Sequence, residues 1–277
     1  MKIASPAEVY LQDFHQRLPG ATGTAFNKLR AISGHLEFAS SYHVLASLVP
    51  NSDEPRTVLD LACGDGQLLK LLSDRRSPSL RLMGVDMSLG ELDAARAILP
   101  EDVVLLKERA QQLSIETGTV DSVLSHMAMM LMDNIEQVLS EIRRVLRFEG
   151  QFAAVIGRTL LLGEVNEVFL DVFRPIAKKD LLPLPFGDRR TGTEAGWTEL
   201  LDGNFKDVLM EDVDVGWEPT PKELWHSLTE TYDIDRLTAS ARERLGSELL
   251  RAVSHLRQDN GTIKTGWGLR LVRALAT

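Results

Sequence analysis

The chain alternates short apolar runs with amphipathic stretches. Runs at 58–61, 80–85, 103–106, 120–124 and 152–156 read as strands, mostly apolar as strands buried on both faces are. Between them lie helical patterns beginning at Leu68 and near Leu89, and an amphipathic one over 136–146 whose apolar positions are Val138, Leu139, Ile142, Val145 and Leu146. Strands that alternate with helices in this way predict an α/β fold, a doubly wound parallel sheet.

The flanks break the alternation. Residues 5–50 read as helical with a break at Leu18-Pro19-Gly20, from the spacing of Tyr10, Phe14 and Leu18 and then of Leu36, Tyr42, Leu45, Leu48 and Val49. These helices either cover a sheet edge or form a lid, with His15, His35, Tyr42 and His43 available to face a ligand. Beyond the fifth strand come a helix over 160–176, a proline- and glycine-rich loop over 181–196, a short helix at 197–201 and a sixth strand at 208–215. Helices over 221–231 and 238–256 and a last strand within 262–275 close the chain. The expected organisation is a helical cap (1–50), a nucleoside-binding core (51–157) and a C-terminal half (158–277) carrying a helical lid at about 219–260.

Composition narrows the class. With 44% hydrophobic and 26% charged residues the chain is of ordinary globular type, and a formal charge of -9 argues against a nucleic-acid partner. Cys63 is the single cysteine, which excludes an internal disulfide and a cysteine zinc cluster. The N-terminus acquires Glu8 and Asp13 before any apolar core forms, unlike a signal peptide, and no run approaches the roughly 18 apolar residues of a membrane span. A cytoplasmic protein acting on a small molecule, without membrane insertion, is the expectation; the oligomeric state is not legible.

The candidate chemistry centres on VLDLACGDG, where the first strand runs into a turn containing Gly64 and Gly66. Glycine tolerates positive φ there and lets a ligand lie against the backbone, while the following helix offers free N–H groups. Asp86 follows Gly66 by 20 residues at the end of the second strand. An acid so placed accepts hydrogen bonds from ribose hydroxyls, or else caps the next helix, a role also open to Ser88. His126 leaves the carboxyl end of the fourth strand, where open α/β sheets bind ligands, and is a candidate base or cofactor contact, with His15 and His226 as further bases. No set of acids and histidines has metal-ligand spacing. A nicotinamide dehydrogenase would need a third small residue where Leu69 stands.

As a set, VLDLACGDG, GVDMS at 84–88 and VDSVLSHMAMMLMDNIEQVLSEIRRVLRFEGQF at 120–152 resemble the class I S-adenosylmethionine-dependent methyltransferases, in the small-molecule branch called methyltransferase type 11 or UbiE-like. The resemblance covers about 55–157 and implies a Rossmann-like sheet of seven mostly parallel strands, with a substrate-covering insertion before the last. It implies S-adenosylmethionine as cofactor and S-adenosylhomocysteine as product. It also implies cofactor contacts at Asp60, Ala62, Cys63, Gly64, Gly66, Asp86, Met87, Ala110, Gln111, Ser125 and His126. Tyr42, Trp217, Trp225, His226 and Tyr232 become candidates for the acceptor pocket, and methyl transfer to oxygen or nitrogen of a partly apolar molecule becomes the expected reaction. A methyltransferase fold that binds cofactor without catalysis is the alternative. Two departures stand out: Ala62 replaces the usual first glycine, and Arg109 replaces an acid that reads adenine. An arginine accepts no hydrogen bond, so that reading falls to Ala110 backbone groups, Gln111 or Glu108.

Overall fold

The computed structural model describes residues 4–277. The chain begins with α1 (Pro6–Arg17), α2 (Ala21–Phe26), β1 (Ala31–Ser33), β2 (Leu36–Phe38) and α3 (Ser41–Ser47). The central alternation follows as β3 (Arg56–Leu61), α4 (Gln67–Ser73), β4 (Leu80–Asp86), α5 (Leu89–Ile98), β5 (Val104–Lys107), β6 (Val120–His126), α6 (Ile135–Val145) and β7 (Leu146–Thr159). The remainder is α7 (Glu164–Asp180), α8 (Glu194–Leu201), β8 (Phe205–Trp217), α9 (Pro221–Thr229), α10 (Tyr232–Asp235), α11 (Ala239–Ala252) and β9 (Thr265–Ala276).

All strands join one sheet in the order β2-β1-β8-β9-β7-β6-β3-β4-β5. Strands β3 to β7 are parallel, whereas β9 runs antiparallel to both β7 and β8. Chain order reverses between β3 and its two neighbours, β4 and β6, which opens a crevice at their carboxyl ends. One face of the sheet packs on α3, α4, α7 and the α9–α11 group, through residues such as Leu45, Leu69, Phe169 and Leu245. The other packs on α6 and α8, where Val138, Leu139, Ile142 and Val145 bury one stripe of α6 against Phe152 and Trp197.

The α/β class is as the sequence predicts, but the sheet has nine strands rather than seven. The additional pair is the hairpin β1–β2, inside the segment expected to be wholly helical. Gly34 takes φ +57° in the two-residue turn with His35, the left-handed geometry that tight hairpins require. Leu36, which had been aligned with Tyr42 on a helix face, is 65% exposed on the edge strand instead. Strand β1 pairs antiparallel with β8, matching Ala31 to Val215, so the N-terminal segment is stitched into the sheet.

Both covers over the crevice start from well-marked helix ends. Ser5 and Glu8 form a capping box at α1, Thr220 and Glu223 form one at α9, and proline occupies the first turn of each. Among the described residues, no helix is long and apolar enough to cross a membrane.

Candidate active site

The glycine turn after β3 is built from left-handed residues: Ala62 at φ +59°, Gly64 at +53° and Gly66 at +82°. The backbone N–H of Cys63 donates to the Val85 carbonyl at 3.0 Å, which locks the turn to the end of β4. Met127, just past β6, also has φ +54°. Left-handed geometry costs a residue with a Cβ about 1–2 kcal/mol. Two such residues therefore flank the crevice, the placement in which backbone strain accompanies function.

Beneath the covers the crevice forms two small adjoining clefts that share His15, Ala62, Asp86, Ala128 and Leu131. Met87, Ala110 and Gln111 line the first, together with Glu8 from α1. Asp60, Cys63, Gly64, His126 and Tyr42 line the second. The structure thus brings most of the expected cofactor residues together. Gly66 and Ser125 are the exceptions. A Cβ on Gly66 would stand 2.9 Å from Leu99 Cδ1 and 3.1 Å from Ala95 Cβ, so this glycine serves the packing of the turn on α5. The Ser125 hydroxyl donates to the Leu61 carbonyl at 2.8 Å inside the sheet.

The second cleft is strongly acidic. Asp60, Asp65, Asp86 and Glu91 all line it, and its wall also carries the imidazoles of His15 and His126. Asp60 is 2% exposed, and burial, then Asp86 and Asp65, push its carboxyl well above the ordinary range. Burial also raises Asp65 and Asp86. Asp86 accepts backbone N–H bonds from Gly64 at 3.0 Å and Ser88 at 2.8 Å, so it braces the turn and the start of α5 at once. Burial pushes the Cys63 thiol up as well, and it stays a thiol.

His126 is buried, stacked on Tyr42 with ring centroids 3.9 Å apart. Its Nε2 meets the Ser41 hydroxyl at 2.8 Å, whereas its Nδ1 has no hydrogen-bond partner. Desolvation lowers its pKa to about 3, so it is neutral at physiological pH and a weak base.

Arg109 pairs with Glu8 of α1, which tethers the N-terminal cover to the first cleft. The Gln111 amide donates to the Asp133 carbonyl at 2.8 Å, and Glu108 accepts from the Ser114 N–H at 2.9 Å.

A third cavity, of about 500 Å³, lies beside the second cleft and shares Thr22, Met127, Leu131 and Tyr232 with it. Its walls are mostly apolar, including Phe14, Phe26, Phe169, Phe173, Phe186 and Trp267. Several residues expected at an acceptor pocket lie elsewhere. Trp217 stacks on Trp267 from behind, with centroids 6.0 Å apart; Trp225 lies over Gly246, where a Cβ would meet its ring at 2.7 Å. His226 is exposed, beside Glu230. Tyr42 lines the acidic cleft rather than the cavity, His35 is exposed in the hairpin turn, and His43 bonds Ser40 at 2.8 Å.

Three contacts that the sequence did not reveal join the covers to the floor. Glu91 accepts from His15 Nδ1 at 2.6 Å and from the Gly20 N–H at 3.0 Å, and His15 Nε2 meets the Tyr232 hydroxyl at 3.1 Å. Glu91 itself is buried on the first turn of α5. Among the described residues no group of three or more His, Cys, Asp or Glu side chains is arranged to hold a metal ion.

Residues 59–154, from β3 into β7, match the family described as methyltransferase domain. Over these residues the chain is similar to methyltransferase domains. A demethylmenaquinone methyltransferase from Symbiobacterium thermophilum is 37% identical over 100 residues, which is 34% of this chain and 40% of that protein. A malonyl-[acyl-carrier protein] O-methyltransferase from Geobacter sulfurreducens is 32% identical over 113 residues, 40% of this chain and 42% of its own length. The chain thus spans about two fifths of the length of these curated relatives. The fold extends further: the YcgJ protein of Bacillus subtilis superposes with a TM-score of 0.54 at 16% identity, covering 85% of this chain and 97% of that one. A type II methyltransferase of Anaeromyxobacter dehalogenans does so with 0.58 at 18% identity, covering 84% and 94%. S-adenosylmethionine is the cofactor that goes with a methyltransferase domain of this class.

Proposed function

We propose that the chain binds S-adenosylmethionine across the two small clefts and transfers its methyl group to an oxygen or nitrogen atom of a partly apolar small molecule held in the adjoining cavity. The observation that carries this reading is the junction: an acid-lined cleft at the ends of β3, β4 and β6 opens, through Thr22, Met127, Leu131 and Tyr232, onto an apolar cavity of about 500 Å³. That volume lies within the usual range for a small-molecule pocket.

The residues present fit the cofactor. Its sulfonium and ammonium groups are cationic, and Asp60, Asp65, Asp86 and Glu91 supply the opposite charge. Gly64 presents bare backbone, since its Cβ position meets only Glu91 Oε2, at 3.8 Å. The unpartnered His126 Nδ1 offers one further hydrogen-bonding group beside the same cleft. In this reading Asp60, Gly64 and Asp65 hold the methionine end, Asp86 the ribose, and Met87, Ala110 and Gln111 the adenine. When bound, S-adenosylmethionine would supply an electrophilic methyl group. The protein's own work is then to align the acceptor and to exclude water, and the two covers serve both ends. A cytoplasmic setting belongs to the same proposal.

Calorimetric titration with S-adenosylmethionine and S-adenosylhomocysteine tests the cofactor site, and tritium transfer from labelled S-adenosylmethionine into extractable organic material tests the reaction. Binding of both ligands with transfer into an apolar fraction is expected. Failure to bind either one overturns the reading, and binding without any transfer removes its catalytic half.

A further inference from the structure

We propose that Glu91, His15 and Tyr232 form a relay that withdraws the proton from a hydroxyl group on the acceptor, and that the acceptor is a hydroxylated aromatic molecule of phenol or naphthol type. The inference rests on the methyl-transfer reading above and adds to it the acceptor's chemistry and its proton path.

Each ring nitrogen of His15 faces one member of the relay. Glu91 is buried, and as a carboxylate it can only accept, so the proton between it and His15 sits on Nδ1, 2.6 Å away. With Nδ1 protonated in the neutral ring, Nε2 is the acceptor, and the Tyr232 hydroxyl donates to it at 3.1 Å. The phenol oxygen of Tyr232, which also faces the Thr22 hydroxyl, then keeps a lone pair for a further donor. Tyr232 lines both the acidic cleft and the apolar cavity, and Thr22, beside the same phenol, does so too. An acceptor hydroxyl at this junction would meet the Tyr232 oxygen.

The transfer balances. The acceptor O–H bond breaks and its proton passes to the Tyr232 oxygen, while the proton of Tyr232 passes to His15 Nε2. The imidazolium so formed lies against the Glu91 carboxylate, and the electron pair left on the acceptor oxygen is the nucleophile. Burial, then Glu91 and Asp86, hold the Tyr232 phenol above its ordinary range, so the tyrosine conducts a proton rather than waiting as a phenolate.

A purely structural latch accounts for the contacts less well. Tyr10 and Arg17 already join α1 to Asp235 of α10, at 2.9 and 2.8 Å. A buried carboxylate is a costly way to add a second tie. The acceptor class follows from the cavity wall, where Phe14, Phe26, Phe169, Phe173 and Phe186 offer ring faces and edges to an aromatic guest.

The test has two readouts on the full chain. Nitrogen NMR of isotope-labelled histidine, with and without S-adenosylhomocysteine, is expected to show His15 protonated on Nδ1 alone, with an Nε2 resonance that shifts in Tyr232→Phe. Competition between naphthol and thionaphthol as methyl acceptors gives the second, because the thiol ionises without help near neutral pH. Tyr232→Phe and His15→Gln are expected to lower the oxygen-to-sulfur rate ratio about 100-fold, the lower end of what acid–base assistance supplies. Protonation of His15 on Nε2, an unchanged ratio, or a wild-type chain that binds S-adenosylhomocysteine yet methylates no naphthol overturns the relay. Absence of S-adenosylhomocysteine binding instead brings down the underlying methyl-transfer reading.

Discussion

Replacing Asp60 by asparagine is expected to stabilise the ligand-free protein and, at the same time, to weaken its hold on the cofactor. The Asp60 side chain is 2% exposed, with Asp86 and Asp65 close enough to oppose its charge and no hydrogen bond among the causes that set its pKa. A buried, unpartnered carboxylate costs several kcal/mol. An amide in the same place, imperfectly paired, costs about 1–3 kcal/mol. The difference, about 2 kcal/mol, corresponds to a rise of about 4–8 °C in Tm for a chain of this size. The pH dependence has a definite sign. The folded-state pKa lies above the unfolded one, so the folded protein holds the extra proton between the two values and stability falls as pH rises through that window, starting at about 4. The variant lacks that fall. A charge-assisted bond to the cofactor's ammonium group is worth about 1.5–3 kcal/mol, which makes the expected loss of S-adenosylhomocysteine affinity about 10- to 100-fold. Thermal unfolding without ligand at a series of pH values, paired with calorimetry, measures both effects. A lower Tm at neutral pH, or an unchanged affinity, would refute the reasoning.

Three further perturbations follow from the geometry. Gly23→Ala would put a Cβ 2.4 Å from Asp65 Oδ2, displacing that carboxylate from the Gln67 amide it accepts from at 2.8 Å; at least a tenfold loss of S-adenosylhomocysteine affinity and a loss of about 1 kcal/mol in stability are expected by calorimetry and urea unfolding. Ala62→Gly relieves a left-handed residue at φ +59°, so urea unfolding is expected to show a gain of about 0.5–1 kcal/mol, and a loss would contradict that strain. His126, lowered to about 3, gives stability that is fully present above pH about 6.5 and is lost as pH falls toward 3, by roughly 5 kcal/mol in all; His126→Asn should flatten that acid limb in urea midpoints, and an unchanged limb would rule out the histidine as its source.

What could be read from the sequence was local. The turn at Ala62–Gly66, the acid at Asp86 and the histidine after β6 are set by a strand, its turn and the helix it feeds, all within short spans of chain. The hairpin β1–β2 was missed because its three-residue strands are too short to show a period, although Ser33-Gly34-His35 is a legible turn. The covers were misread for a different reason. Trp217, Trp225 and His226 were chosen as aromatic or basic residues on a lid, yet the face a lid helix turns inward is set by distant packing, such as Gly246 beneath Trp225. His15 and Tyr232 meet across 217 residues, and no periodicity connects them. Glu91 looks in sequence like an ordinary acid in the first turn of a helix, and only the fold shows it buried beneath α1.

The pairing of β1 with β8 sets how the crevice can open. Residues 31–38 are sewn to the strand that ends at Trp217, immediately before the C-terminal cover begins, so α2 and the hairpin are moored to the same edge as that cover. Ahead of Leu18-Pro19-Gly20, α1 joins no strand of the sheet and is held by the side chains of Glu8, Tyr10, His15 and Arg17 and by its buried Leu11 and Phe14. Displacing that twelve-residue helix would uncover the first cleft, which Glu8, Leu11 and His15 line, and would break the His15 contacts to Glu91 and Tyr232. A door hung in this way can carry a proton only when it is shut.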